Sequence, residues 1–117
     1  MQRENRIKEV IFATEKLRKA YEGLEKGRFE EKELAGFLKR AVDDLSEDPF
    51  SGTQIPSSLW PREYVQKYRI NNLRKYDLPN GWRLVYTLRG TEIKIISIIL
   101  EWYDHKDYER RFGYKNR

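Results

Sequence analysis

The residues best equipped for chemistry crowd the end of the chain: Trp102, Tyr103, Asp104, His105, Lys106, Asp107 and Tyr108, then Glu109, Arg110, Arg111 and Tyr114. An imidazole titrates near neutrality, phenols donate and accept protons, and guanidinium groups hold developing charge; metal-independent RNA cleavage needs these parts. In that reaction a 2′-hydroxyl attacks the adjacent phosphate, a base takes its proton and an acid protonates the leaving 5′ oxygen. Cations meanwhile hold the charge that accumulates on phosphorus. His105 fits the acid or the base, and the arginines fit the charge. A lone histidine is more often structural than catalytic, so the elements around it carry the argument.

Those elements read as strands. Residues 64–78, 82–89 and 92–103 are rich in β-branched and aromatic side chains, and Asn80-Gly81 is the strongest short signal of a hairpin, because a type I′ turn needs positive φ at both central residues. With those two as a two-residue turn, Leu78 opposes Arg83, Tyr76 opposes Val85 and Arg74 opposes Thr87. Arg74, Tyr76 and Arg83 then project from one side, leaving a cationic face for a ligand. Trp82, Leu84, Tyr86 and Leu88 turn to the core with Lys75 and Leu73. The last strand, EIKIISIILEWY, is apolar on both faces and predicts an interior position. The tail from His105 to Phe112 predicts one or two helical turns.

The first half supplies the packing. RIKEVIFA over 6–13 predicts a short strand, with Thr14 as N-cap of a helix to Glu25; one helix from Asn5 onward competes, since Ile7, Val10, Ile11 and Phe12 also fit a 3.6 period. Gly27 breaks the helix. A second one from Phe29 to Leu45 carries Leu34, Phe37, Leu38, Ala41, Val42 and Leu45 at spacings of three and four, which makes a helical hairpin. Asp43, Asp44, Glu47 and Asp48 read as a solvated helix end. Residues 46–61, with three prolines, predict an irregular loop whose Phe50, Ile55, Leu59 and Trp60 either pin it to the domain or form part of a partner-binding surface.

Composition narrows the classes. One domain over 1–117 is the default at 117 residues. Without cysteine, disulfides and thiolate metal sites are excluded, and with one histidine a zinc site would need three carboxylates or water instead, so no metal or organic cofactor is predicted. No apolar run approaches a membrane span and the N-terminus lacks a secretory signal, which predicts a cytoplasmic protein with no membrane partner. Charged residues form 37% of the chain, a balance also found in proteins from hot environments. Residues 1–59 carry 11 Lys and Arg against 12 Asp and Glu, net −1, whereas residues 60–117 carry 13 against 7, net +6. A basic half beside a neutral one is the footprint of a face that meets a polyanion.

The order strand, helical hairpin, meander and basic tail, with Gly81-Trp82-Arg83-Leu84-Val85-Tyr86 and Asp104-His105-Lys106-Asp107-Tyr108, resembles the RelE/ParE superfamily of bacterial and archaeal toxins. The resemblance runs from about Lys8 to Tyr114. It implies an α+β, RelE-like domain: a small antiparallel sheet of about four strands, the N-terminal helical hairpin on one face and a short C-terminal helical tail. The family's phosphate-contacting arginine falls on Arg83. Its basic residues before the hairpin fall on Arg74 and Tyr76 in an ungapped match, or on Arg69 and Asn71 in a gapped one. Its tail residues fall on His105 and Tyr108, with a His-x-Asp spacing similar to that of YafQ-like members. The implied catalytic set is Arg83, His105, Tyr108, Arg74 and Tyr76, with Arg69, Lys75, Lys106, Arg110 and Arg111 binding RNA. The resemblance implies a type II toxin that cleaves mRNA in the ribosome and arrests translation, restrained by a cognate antitoxin. ParE-like members, which poison DNA gyrase, and non-catalytic nucleic-acid-binding relatives are the alternatives.

Overall fold

The computed structural model describes residues 4–113; Tyr114 lies outside them. Strand β1 (Ile7–Phe12) opens the chain, and Thr14 ends it by accepting the Leu17 N–H at 3.1 Å as N-cap of α1 (Glu15–Glu25). Helix α2 (Phe29–Glu47) starts where the Glu31 carboxylate reaches back to the Arg28 N–H at 2.8 Å, and it runs two residues past Leu45. The hairpin and its boundaries follow the apolar periodicity. Leu34, Leu38, Ala41 and Leu45 are buried against Leu78, Leu84, Tyr86 and Ile99 of the sheet, with Leu17, Tyr21 and Leu24 of α1 packed alongside. Phe12 stacks on Tyr21 at 5.5 Å and ties β1 to α1.

The fold is α+β, with a five-stranded mixed sheet and four α-helices among the described residues. The other strands are β2 (Thr53–Gln54), β3 (Arg74–Asp77), β4 (Arg83–Gly90) and β5 (Lys94–Tyr103), in the order β1-β5-β4-β3-β2. This corrects the expected antiparallel sheet of about four strands. β1 pairs in parallel with β5, from Ile7 opposite Lys94 to Phe12 opposite Ile99. The partner of a strand is decided by contacts far away in sequence, which alternation cannot reveal. β5 does take an interior position, between β1 and β4.

A second correction falls on residues 64–73. Arg62–Tyr68 form helix α3, and strand pairing starts only at Arg74. Tyr64 and Tyr68 satisfy both a period of two and an i,i+4 spacing; with Pro61 as N-cap the segment takes the helix, which brings their rings to 5.9 Å. The preceding loop contributes β2, pairing Thr53 with Lys75 and Gln54 with Arg74. Ile55 is buried, Leu59 and Trp60 pack beside it, and the Trp60 indole donates to the Ile55 carbonyl at 2.8 Å. Phe50 is exposed and is not one of the core anchors.

The third correction concerns register. Asn80 (φ 61°) and Gly81 (φ 80°) adopt the positive φ that a type I′ turn demands. A two-residue hairpin would also require Pro79 to donate a ladder hydrogen bond, and proline has no N–H. The Leu78 N–H instead donates to the Trp82 carbonyl at 2.8 Å, so three residues form the connection and Asp77, not Leu78, opposes Arg83. Tyr76 opposes Leu84, Lys75 opposes Val85 and Arg74 opposes Tyr86. One residue of slip inverts every side chain of β3. Arg74 and Tyr76 face the helical hairpin, while Lys75 and Asp77 share the opposite face with Arg83.

That opposite face is covered as well. Helix α4 (His105–Phe112) folds back over it, with Asp104 accepting the Asp107 N–H at 2.8 Å as N-cap. Tyr108 and Phe112 join Ile55, Tyr64, Ile70, Leu73, Val85 and Leu100 in a second buried cluster. No helix of the described residues is long and apolar enough to cross a membrane.

Candidate nucleic-acid interface

Arg83 is the centre of the cationic site. Its Nη1 donates to the Gly81 carbonyl at 2.7 Å, and its guanidinium lies 5.4 Å over the ring of buried Tyr108. Its Nε lies 3.1 Å from Asp77 Oδ1, and the same oxygen takes Lys75 Nζ at 2.8 Å. Two cations from adjacent strands therefore converge on one anionic oxygen. The register correction built this pair: Lys75, expected on the core side, stands beside Arg83, and Asp77 was not anticipated at all. An i,i+2 pattern on one strand was the signal that pointed to Asp77, once Lys75 had been placed on the ligand face.

His105 reaches the same place by a different route. A Cβ built on Gly81 would lie 3.0 Å from the His105 Cβ, so the first residue of α4 packs directly on the β3–β4 turn whose carbonyl holds Arg83. Gly81 is needed there twice over, for its positive φ and for that close approach. The imidazole is exposed, with Nε2 at 3.1 Å from Glu109 Oε2 one turn along the helix. Tyr108 is stacked on Phe112 at 4.6 Å and sits beneath Arg83 as a platform.

Arg74 and Tyr76 do not join this group. Arg74 faces the other side, donating to the carbonyls of Phe50 at 3.1 Å and Gly52 at 2.7 Å and lying 5.6 Å over the Phe50 ring. It staples the loop before β2 to the sheet. Tyr76 donates to Asp44 Oδ2 of α2, and that hydrogen bond, with some burial, pushes its phenol up to about 12. A phenol so held is a poor base at neutral pH.

Of the expected RNA-binding residues, Lys75 belongs to the centre. Arg69 caps α3 in the left-handed region (φ 51°) and is exposed, as is Lys106 on α4. Arg110 pairs with Asp107 at 2.8 Å, and Arg111 pairs with Glu63 of α3. Arg111 also lies 5.5 Å over the Tyr64 ring. Burial works against its charge, yet Glu63 and Tyr103 outweigh it and raise its pKa.

The β4–β5 pairing brings in Tyr103, already singled out in the sequence, and Glu101, which sequence reasoning passed over. Tyr103 opposes Arg83 and Glu101 opposes Val85, so both share the Arg83 face. The Tyr103 and Tyr64 hydroxyls hydrogen-bond each other, and burial drives both phenols upward. Burial also raises the Glu101 carboxyl, against the opposing fields of Arg111 and Lys16. Glu101, Trp102, Tyr103, Asp107, Arg110 and Arg111 line an open groove of about 430 Å³ beside α4. Among the described residues no three His, Asp or Glu side chains gather as a metal ion would need.

No family model matches this chain, and no curated protein or solved structure is significantly similar to it.

Proposed function

We propose that this chain is a RelE-like toxin, a metal-independent endoribonuclease that cleaves mRNA in the ribosome and is restrained by a cognate antitoxin. The observation that carries the reading is the convergence of Lys75 Nζ and Arg83 Nε on one anionic oxygen, beside the turn on which His105 packs. A non-bridging phosphate oxygen in that position would be held by two cations, and Arg83, pinned to Gly81, would meet the charge that grows on phosphorus without reorganising. His105, exposed at the rim, takes the proton-transfer role. Lys106 and the exposed arginines of α4 supply the backbone attraction that long RNA needs. An acidic or amphipathic antitoxin segment would neutralise this cleft by complementary charge.

A second reading, a phosphate-binding relative without catalysis, is favoured by one observation: Tyr76 and Arg74, two of the five implied catalytic residues, are engaged on the opposite face. Expression without antitoxin separates the readings. The endoribonuclease arrests translation and leaves mRNA cut at ribosome-occupied positions while gyrase continues to supercoil DNA. Gyrase-dependent DNA breaks with intact mRNA identify a ParE-like poison, and RNA binding with neither effect identifies the non-catalytic relative.

A further inference from the structure

The anion that Lys75 and Arg83 now hold belongs to the protein itself. Asp77 is the last residue of β3, and its side chain is 61% exposed, whereas those of Lys75 and Arg83 are 21% and 20% exposed. The cations are fixed in the wall, and the carboxylate lies over them from the solvent side. The fit is also imperfect. Although Asp77 Oδ1 is only 3.1 Å away, the buried Arg83 Nε–H makes no hydrogen bond with it or with any other group of the described residues. A buried donor beside an acceptor of the wrong angle is an unspent interaction.

We propose that Asp77 is an internal counter-anion that occupies the phosphate seat and must swing out when RNA binds. The inference rests on the phosphate reading of this site. Three features make the exchange feasible. The seat accepts one oxygen from two cations, which a phosphodiester supplies as well as a carboxylate does. The Arg83 Nε–H gains an acceptor that can approach along its axis. The departing carboxylate moves into water, where it keeps its hydration, and only an exposed ion pair is broken. Asp77 thereby lowers the affinity of the empty site for adventitious anions, and it holds Arg83 in place until a ligand arrives.

Fluorescence anisotropy with a short labelled single-stranded RNA tests this on the full chain and on Asp77→Asn, Asp77→Ala, Asp107→Asn and Arg83→Ala. Removing the competitor should tighten binding by about 5- to 10-fold in both Asp77 variants, the scale of one or two exposed ion pairs. Asp107→Asn, which makes the same change in net charge at the Arg110 pair, should move it by less than about 2-fold. The Asp77→Asn gain should vanish in the Arg83→Ala background, as coupled groups require. Unchanged or weaker binding by both Asp77 variants, with wild-type binding still dependent on Arg83, overturns the counter-anion and leaves the phosphate reading standing. Binding indifferent to Arg83, or absent, overturns both. Should the Asp77 variants fail to fold, titrating the wild-type chain with inorganic phosphate gives the answer by NMR. The Arg83 Nε–H and Asp77 carboxyl resonances should shift together and saturate; an Asp77 resonance that stays put overturns the proposal.

Discussion

Replacing Arg83 by alanine should separate the two jobs that this residue performs. In the folded chain its side chain makes a charge-assisted bond to the Gly81 carbonyl at 2.7 Å, an ion pair with Asp77 at 3.1 Å and a cation–π contact with Tyr108 at 5.4 Å. The first is worth about 1.5–3 kcal/mol, the half-exposed pair about 0.2–1 and the cation–π contact about 0.5–1. Ordering the long side chain offsets up to about 2 kcal/mol. The net loss of stability should be at most about 3 kcal/mol, which lowers Tm by at most about 12 °C in a domain of this size. Single-turnover cleavage of a ribosome-bound mRNA should fall much further, by about 10² to 10³, because a fixed charge-stabilising donor disappears from the transition state. Arg83→Lys retains the charge but not the planar fork, so it should recover part of the Tm and little of the rate. Circular dichroism, thermal melts and saturating single-turnover assays measure these quantities side by side. A folded Arg83→Ala protein that cleaves at the wild-type rate would refute the reasoning, and so would a rate loss that the melting shift accounts for in full.

His105→Ala should slow single-turnover cleavage by about 10² while ribosome association stays nearly unchanged; a wild-type rate at saturation would show the histidine to be structural. Tyr76→Phe should leave cleavage intact and cost about 1 kcal/mol through the lost bond to Asp44. The Tyr76 pKa is raised from 10.0 to about 12, so its stabilisation is whole below the lower value and lost as pH climbs through the upper one. The stability gap between wild type and Tyr76→Phe, followed by urea melts, should close across that window, and a gap that widens there would be the wrong sign. Glu101, whose pKa burial raises, stabilises the fold when protonated and loses that contribution as pH rises through its folded value. Glu101→Gln should therefore raise Tm at neutral pH, and the advantage should fade in acid; a loss at neutral pH would mean that the carboxylate is needed as an ion-pair partner.

Much of the architecture is written locally. The spacing of Leu34, Leu38, Ala41 and Leu45, the Thr14 cap, the positive-φ pair Asn80-Gly81 and the two-sided apolar pattern of β5 each name an element or its place from neighbouring residues alone. Trp82, Leu84 and Leu88 were correctly turned to the helical hairpin for the same reason, together with Tyr86. The site was half determined in this way: the turn names Arg83 from its neighbours, but His105 meets it only because β5 pairs with β4 and α4 packs on Gly81. The hairpin register was also written locally, in the missing N–H of Pro79, and it sends Arg74 and Tyr76 to the hairpin side and places Lys75 and Asp77 beside Arg83. What only the tertiary structure decided was parity and partnership. The parallel pairing of β1 with β5 and the helix at 62–68 rest on contacts made far along the chain, with Ile99 and with Phe112. Strand periodicity states which residues alternate, but it carries no memory of which face is which; that choice is made by the packed core, where a one-residue slip would bury Lys75 and Asp77 against α2.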